Sequence, residues 1–571
     1  MPSRPTSTST GTPEQHTTAT ESDRGDKSGH VEAQQFSTDN AVDGKNKLQD
    51  QTNLLPIKQL LIVFVGLSCA LFSLLIYNSV STALPTLGRV FHDASVESWV
   101  GTSYLLTSTA CQPLYGRLSD IFGRKIVLLT SMGFFLFGSI LSAVSQSMIM
   151  LIVFRAISGI GGGGILTSVM IAVSDVVSLE KRGTYQGIIG VVVALSNSIG
   201  PLIGGLFTEK VSWRWCFYIN IPLTGISILV VLLVLPLKRV KGDMKARFKQ
   251  IDYLGCITML IAAVLILLPI SCSQSFHSSQ VRDLAAILYA KLTTITVHIF
   301  KNSTVAGASV GAFFTGFMFY ANLYYLPQFF QVVYSASPIK SGVLLLPLVV
   351  IQCVVSFTSG YLVSKTGNYT INMWAGFAIW AIACGLLSTI SSTTSIGRLV
   401  GYQILSGIGS GQTLQTNLVA IQANVERKEM AVATATRNFL RLLGGTVALA
   451  ACGAILNNTV RSLRDHWGSL QHRSLRLFMP IILTVSAHGI RNIYYFMVAC
   501  CCVSFFITVS FVRSTSLKRD DDARLQEEGK KWAAKHRGLH ALGKKNVNGV
   551  ATEKLPTQTV AVPESQLKGS Q

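Results

Sequence analysis

The chain has 571 residues, 49% of them hydrophobic and only 13% charged, with a formal net charge of +21. A water-soluble protein of this length needs a far more charged surface, so a soluble globular enzyme is excluded. The positive charge does not mark a nucleic-acid binder either, because the basic residues are scattered through short segments between apolar runs.

Residues 1–56 are polar and rich in Ser and Thr, read as a disordered cytosolic tail with no cleavable signal peptide. Apolar runs of roughly 20 residues follow, the length that crosses a hydrocarbon core about 30 Å thick. They are continuously apolar, not alternating, which excludes a β-barrel. The expected spans are 59–84, 97–116, 125–145, 150–173, 185–207, 216–236, 252–272, 282–300, 304–326, 340–362, 371–391, 399–420, 431–456 and 491–512. The fold class is therefore an all-α polytopic membrane protein. Segment 282–300 is the poorest, with Lys291 at its centre, and a half-inserted hairpin is the alternative there. Counting it as a span keeps Lys181, Arg182, "LKRVKGDMKARFKQ" (237–250), Lys301, Lys365, Arg427, Lys428, Lys518 and Arg519 all on the cytosolic side. A long outside loop is expected at 457–490, with "LRLFMPIILTV" lying on the membrane surface, and a disordered cytosolic C-tail from 513 to 571.

The eleven cysteines lie mostly within apolar runs and read as small buried hydrophobes. No His/Cys cluster has metal-ligand spacing, so neither a metal nor a cofactor is expected. "GLHALGKK" (538–545) approaches a phosphate-binding loop, but Lys545 stands where a magnesium-binding hydroxyl belongs and no strand precedes it. Asn457 heads an N-x-T sequon and is the candidate for glycosylation.

Between the second and third spans stands "GRLSDIFGRKIVL" (116–128), which crowds charge into a short hinge. Gly116 and Gly123 allow close approach and a tight turn. Asp120 is placed at the start of the following helix, where the dipole favours a carboxylate, within reach of Arg124, while Arg117, Arg124 and Lys125 hold the loop in the cytosol.

This hinge resembles the motif between the second and third spans of the major facilitator superfamily. The resemblance implies a cytosolic latch of Asp120 and Arg124 with an acidic partner at the end of span four, here Asp175. "LIVFRAISGIGGG" (151–163) resembles the family's span-four motif with its embedded arginine, here Arg155, the candidate for proton coupling. "GPLIGG" (200–205) resembles the span-five motif of the antiporter branch, with Gly200, Pro201, Gly204 and Gly205; Pro201 is expected to kink its helix. With "YYLPQFF" (324–330), "SGVLLLPL" (341–348) and "FLRLLGGT" (439–446), the chain is similar to the fungal fourteen-span drug:proton antiporter family. "SGYLVSKTGNY" (359–369) is a weak echo of the hinge, with Gly360 and Gly367 but no aspartate.

The resemblance implies two six-helix halves, 57–236 and 302–512, joined by a basic linker and two inserted helices at 237–301. It implies alternating access, a small amphipathic organic substrate (drugs, toxins or secondary metabolites), protons as the exchanged partner, a monomer in the lipid bilayer, and a multi-pass place in the plasma membrane or the vacuolar membrane. Candidates for the substrate cavity are Tyr77, Asn78, Asn197, Phe317, Asn322, Gln412 and Gln415. Three departures stand out. Ile76 replaces the span-one aspartate, Ser158 replaces a glutamine, and region 273–300 is short. Two rival readings stay open: an uptake or vacuolar carrier for siderophores or basic amino acids, and a non-transporting sensor of a small molecule.

Overall fold

The computed structural model describes residues 54–73 (apart from 55), 86–92 (apart from 89), 97–234, 299–467 (apart from 392), 475–519 and 522–531 (apart from 529). The regular structure among the described residues of the unit Asp50–Gln571 is all helix, without strands. Twelve long helices carry the fold: α1 (Ile57–Ser73), α2 (Glu97–Phe122), α3 (Arg124–Ala143), α4 (Met148–Val176), α5 (Leu179–Lys210), α6 (Asn220–Val234), α7 (Ser303–Val333), α8 (Pro338–Thr366), α9 (Thr370–Leu387), α10 (Ile396–Ala423), α11 (Met430–Trp467) and α12 (Leu475–Phe511). Expected spans 252–272 and 282–300 lie outside the described residues, apart from the last two positions.

Local chemistry sets the helix ends. Ser147 accepts from the Met150 amide to start α4, and Asn302 accepts from the Thr304 amide to start α7. Ser337 caps α8 with Pro338 in its first turn, and Gly367, at φ 71, closes that helix in the left-handed conformation only glycine adopts freely.

Among the described residues, eight segments are long and apolar enough to cross a membrane by themselves. Helices α2, α5 and α10 are absent from that set, although 26, 32 and 28 residues long. At 1.5 Å per residue they reach about 39, 48 and 42 Å, so polarity and not length separates them from the others. Each packs on several neighbouring helices. A helix surrounded by protein can carry Gln112, Gln186, Gln403 and Asn417, all fully buried. Helix α3, by contrast, turns Phe134, Phe137 and Ile140 outward, as a lipid-facing helix must.

Buried apolar residues form two large cores. One is built on Leu67, Met132, Phe135, Val169, Val173 and Val231 of α1, α3, α4 and α6. The other is built on Phe329, Phe330, Phe377, Trp380, Tyr494 and Met497 of α7, α9 and α12. Within the first group the glycine run of α4 lets three helices meet at backbone distance. A Cβ at Gly161 would overlap the Phe135 amide nitrogen and the Ser131 carbonyl of α3, and one at Gly163 the Ser108 carbonyl of α2. Packing in lipid relies on such close approach, because the surrounding solvent gives helices no hydrophobic push.

Three expectations are corrected. The hinge is not a loop of about ten residues: α2 runs to Phe122, α3 starts at Arg124, and Gly123 at φ 95 makes the whole turn. Asp120 therefore ends α2, where the helix dipole disfavours a carboxylate, and does not begin α3. The outer loop expected at 457–490 is largely helix, since α11 extends to Trp467 and α12 begins at Leu475, which places Asn457 inside α11 and not in a loop. The chain beyond Phe511 also stays packed. Tyr369 donates to the Arg513 carbonyl at 2.7 Å, Arg427 pairs with Asp522 at 2.5 Å, and Leu517 and Leu525 are buried. The polar composition of that segment concealed two apolar anchors.

Gly161→Ala should lower thermal stability by about 1–3 kcal/mol, through overpacking against backbone that cannot yield. Gly225→Ala, where a Cβ meets nothing within 4 Å, should be neutral or slightly stabilising. Unfolding of the two purified variants in one detergent, followed by fluorescence, checks the pair.

Candidate functional site

The hinge motif becomes a three-helix junction. The Nε of Arg124 donates to the Asp175 carboxylate at 2.6 Å, and one Nη donates to Asp120 at 2.6 Å and to the Ser119 hydroxyl at 2.9 Å. Ser119 in turn donates to the Gly116 carbonyl at 2.8 Å. One guanidinium thus ties the ends of α2 and α4 to the start of α3, and all three charged groups are buried. Only arginine presents a planar fork able to bridge two carboxylates in this way. Lys125 is used differently, donating to the Leu232 carbonyl in the last turn of α6 at 2.8 Å.

Directly beside this junction α2 meets α11 and α5 meets α8. A Cβ at Gly116 would lie 2.9 Å from the Ala435 Cβ and 3.1 Å from the Ala431 carbonyl, so α2 lies against the first turns of α11. Helices α5 and α8 meet backbone to backbone. A Cβ at Gly183 would stand 2.7 Å from the Gly360 carbonyl, and one at Gly360 would overlap the Gly183 carbonyl in return. The Thr184 amide donates to Ser364 at 3.0 Å across the same contact. At the GPLIGG stretch α5 continues through Pro201 as one helix, and Gly205 faces the Ile339 side chain of α8 at 3.7 Å. Gly200 and Gly204 are buried in it.

Sequence reading missed Arg182, taking it for a topological charge. It is fully buried. It donates to the Ser174 and Val177 carbonyls at 2.5 and 3.2 Å and reaches Gln422 of α10 at 3.4 Å and the Met430 sulfur at 3.1 Å. The one signal available was its spacing, seven residues after Asp175.

Away from the hinge the contact between α2 and α11 continues through Ala110, Leu106, Phe439 and Leu443. A cationic and aromatic stretch follows. Arg155 is buried, with its Nε 3.3 Å from the Val100 carbonyl and its guanidinium 4.7 Å from the Tyr104 ring centre and 5.8 Å from that of Phe217.

The cavity candidates scatter. Phe317 is packed in the second core against Phe496, ring centres 5.7 Å apart, and Asn322 donates to Ser406 of α10 at 3.3 Å. Gln415 faces α5, with its amide nitrogen 3.0 Å from a Cβ built at Gly190. Gln412 lies against Gly376 of α9. Tyr77 and Asn78 lie outside the described residues, as do the side chains of Asn197, Pro201 and Asn457. No group of His, Cys, Asp and Glu among the described residues could hold a metal.

The model of the Major Facilitator Superfamily matches residues 66–449. The chain belongs to that superfamily. Curated relatives include citrate exporter 1 of Yarrowia lipolytica, 36% identical over 73% of this chain and 65% of its own length. The efflux pump dotC of Dothistroma septosporum is 34% identical over 74% of each chain. The efflux pump FUS6 of Gibberella fujikuroi is 32% identical over 80% of this chain and 89% of its own. Among solved structures, the human organic anion transporter MFSD10 superposes with a TM-score of 0.55 over 79% of this chain and 99% of its own, at 15% identity, which speaks for the fold alone. The protein is thus a multi-pass membrane transporter with the major facilitator fold, not an enzyme.

Arg124→Ala leaves two buried carboxylates without their shared partner and should cost about 3–5 kcal/mol, whereas Asp120→Asn keeps an acceptor oxygen and should cost less than half as much. Thermal unfolding of the purified variants at pH 7 checks the ranking.

Proposed function

We propose that this transporter exports small amphipathic organic compounds by alternating access, in exchange for protons. The observation that carries the reading is the contact between the helix groups at the hinge end. There, backbone meets backbone at Gly116, Gly183 and Gly360, beside a charge junction centred on Arg124. A permanent interface would use a dry apolar core. Glycine contacts beside a charged clasp suit a joint that opens and closes. On this reading α1–α6 and α7–α12 are two halves, the inserted spans at 252–300 bring the total to fourteen, and the hinge end is cytosolic by its basic residues. Asp120, Arg124 and Asp175 act as the latch, with Gly116, Gly123 and Lys125 shaping it. The names of relatives as exporters and efflux pumps favour the outward direction. A monomer in the plasma membrane fits these readings.

Proton coupling takes an indirect route. Arg155 stays charged at all working pH and organises its surroundings, while Asp120 and Asp175 exchange protons at the latch. A second reading is efflux driven by the membrane potential alone. It is favoured by the carboxylates, which keep to the ends of the helices.

Cells expressing the carrier should accumulate less of an exported dye or toxin than cells without it, and Asp120→Asn should abolish the difference at equal expression. Uptake would raise accumulation, and a sensor would leave it unchanged. In proteoliposomes the flux should follow an imposed pH gradient and be lost in Arg155→Ala. Flux that ignores the gradient and follows the potential would replace the antiport reading with the second one.

A further inference from the structure

Every carboxylate in the twelve helices sits in a first or last turn: Glu97, Asp120, Asp175, Glu180, Glu209 and Asp465. Arg437 and Arg441 do the opposite. They lie two and three turns inside α11, one turn apart on one face, and are 2% and 7% exposed. Two like charges at this spacing repel, and each is costly at membrane depth.

Their bonds do not offset that cost. Arg437 donates through one Nη to the Leu414 carbonyl of α10 and through the other to the Asn438 side-chain oxygen at 3.1 Å. Three buried donor nitrogens on this one stretch of α11 then have no acceptor among the described residues: Arg437 Nε, Asn438 Nδ2 and Arg441 Nε. Unpaired acceptors on α10, the Gln412 and Gln415 side-chain oxygens, are neutral and cannot balance two guanidinium charges. Nearby, the Tyr320 ring of α7 lies on Gly445, one turn beyond Arg441, and Tyr324, a turn further along α7, leaves 36% of its surface exposed. The arrangement is donor-rich, doubly cationic and bordered by aromatic rings.

We propose that Arg437, Asn438 and Arg441 form an anion subsite in the transport path, and that the substrates of this carrier carry a carboxylate on an aromatic or otherwise planar body. The proposal deepens the export reading above and rests on it. A carboxylate oxygen takes the Nε–H of an arginine well, and a carboxylate accepts several donors at once. The tyrosine rings then take the apolar body.

The test uses the purified full chain and three ligands of one shape: 2-naphthoate, 2-naphthamide and 2-naphthylmethylamine. Binding is read by tryptophan fluorescence and by thermal shift. Naphthoate should bind roughly tenfold tighter than the amide, and the amine weakest. In Arg441→Gln the preference for the acid should shrink to within about twofold, with Arg441→Lys between the two. Asn438→Asp supplies an internal carboxylate to the same donors; it should raise the thermal midpoint while abolishing naphthoate binding, which keeps the test decisive if Arg441→Gln fails to fold. The proposal is overturned if the three ligands bind equally, if the amine binds best, if naphthoate does not bind by about 10 mM, or if the acid preference survives in Asn438→Asp. Acid-selective binding in a protein whose flux ignores a pH gradient would sink proton exchange and leave the subsite standing.

Discussion

Arg124 is the side chain on which the hinge end depends. Its fork holds Asp120 and Asp175 at 2.6 Å each, and through them the ends of α2 and α4. Neither carboxylate has a favourable place of its own. Both stand at helix C-termini, where the dipole opposes them, and both are buried. A junction of this kind gives little net stability, since desolvation consumes most of the Coulomb attraction. What it does give is a steep dependence on geometry. Shift one helix end by an ångström or two and a buried charge is left alone.

The rest of the hinge end is arranged around that sensitivity. Glycine, not packed side chains, faces glycine or small residues where α2 meets α11 and where α5 meets α8. Such surfaces have no interdigitated knobs to lift out before they part. Inside each group the logic reverses. Gly161 and Gly163 also bring backbones together, but among large apolar cores that give no route to separation. The same residue type therefore does two jobs, and the surroundings decide which. Buried glutamine and asparagine concentrate on α10, which carries Gln403, Gln415, Asn417 and Gln422.

Much of this was legible in the sequence. Continuous apolar runs marked the helices of the described residues, and the pattern from Gly116 to Lys125 pointed to Asp120, Arg124 and Asp175, which meet across 55 positions of chain. What misled was boundary and depth. Polar Arg117 and Ser119 looked like loop, yet one glycine at φ 95 is enough to turn the chain between two unbroken helices. Arg182 looked like a topological charge because membrane rules weigh loop arginines by side and not by burial. For Phe317 and Asn322, helical periodicity shows that a residue faces inward, not which neighbour it meets there. Neighbours 80 or more positions away decide that, Ser406 for Asn322 and Phe496 for Phe317.

The central claim is that the hinge end is a joint held shut by the Arg124 junction and able to open. Lys181 and Lys365, both exposed, flank the contact between α5 and α8 on opposite sides. Spin labels at these two positions report its width by double electron–electron resonance in lipid nanodiscs. The account predicts one short distance for the unsubstituted junction and a second, longer population, wider by roughly 5–10 Å, when Asp120→Asn is added. A single distance that does not move with Asp120→Asn would contradict it.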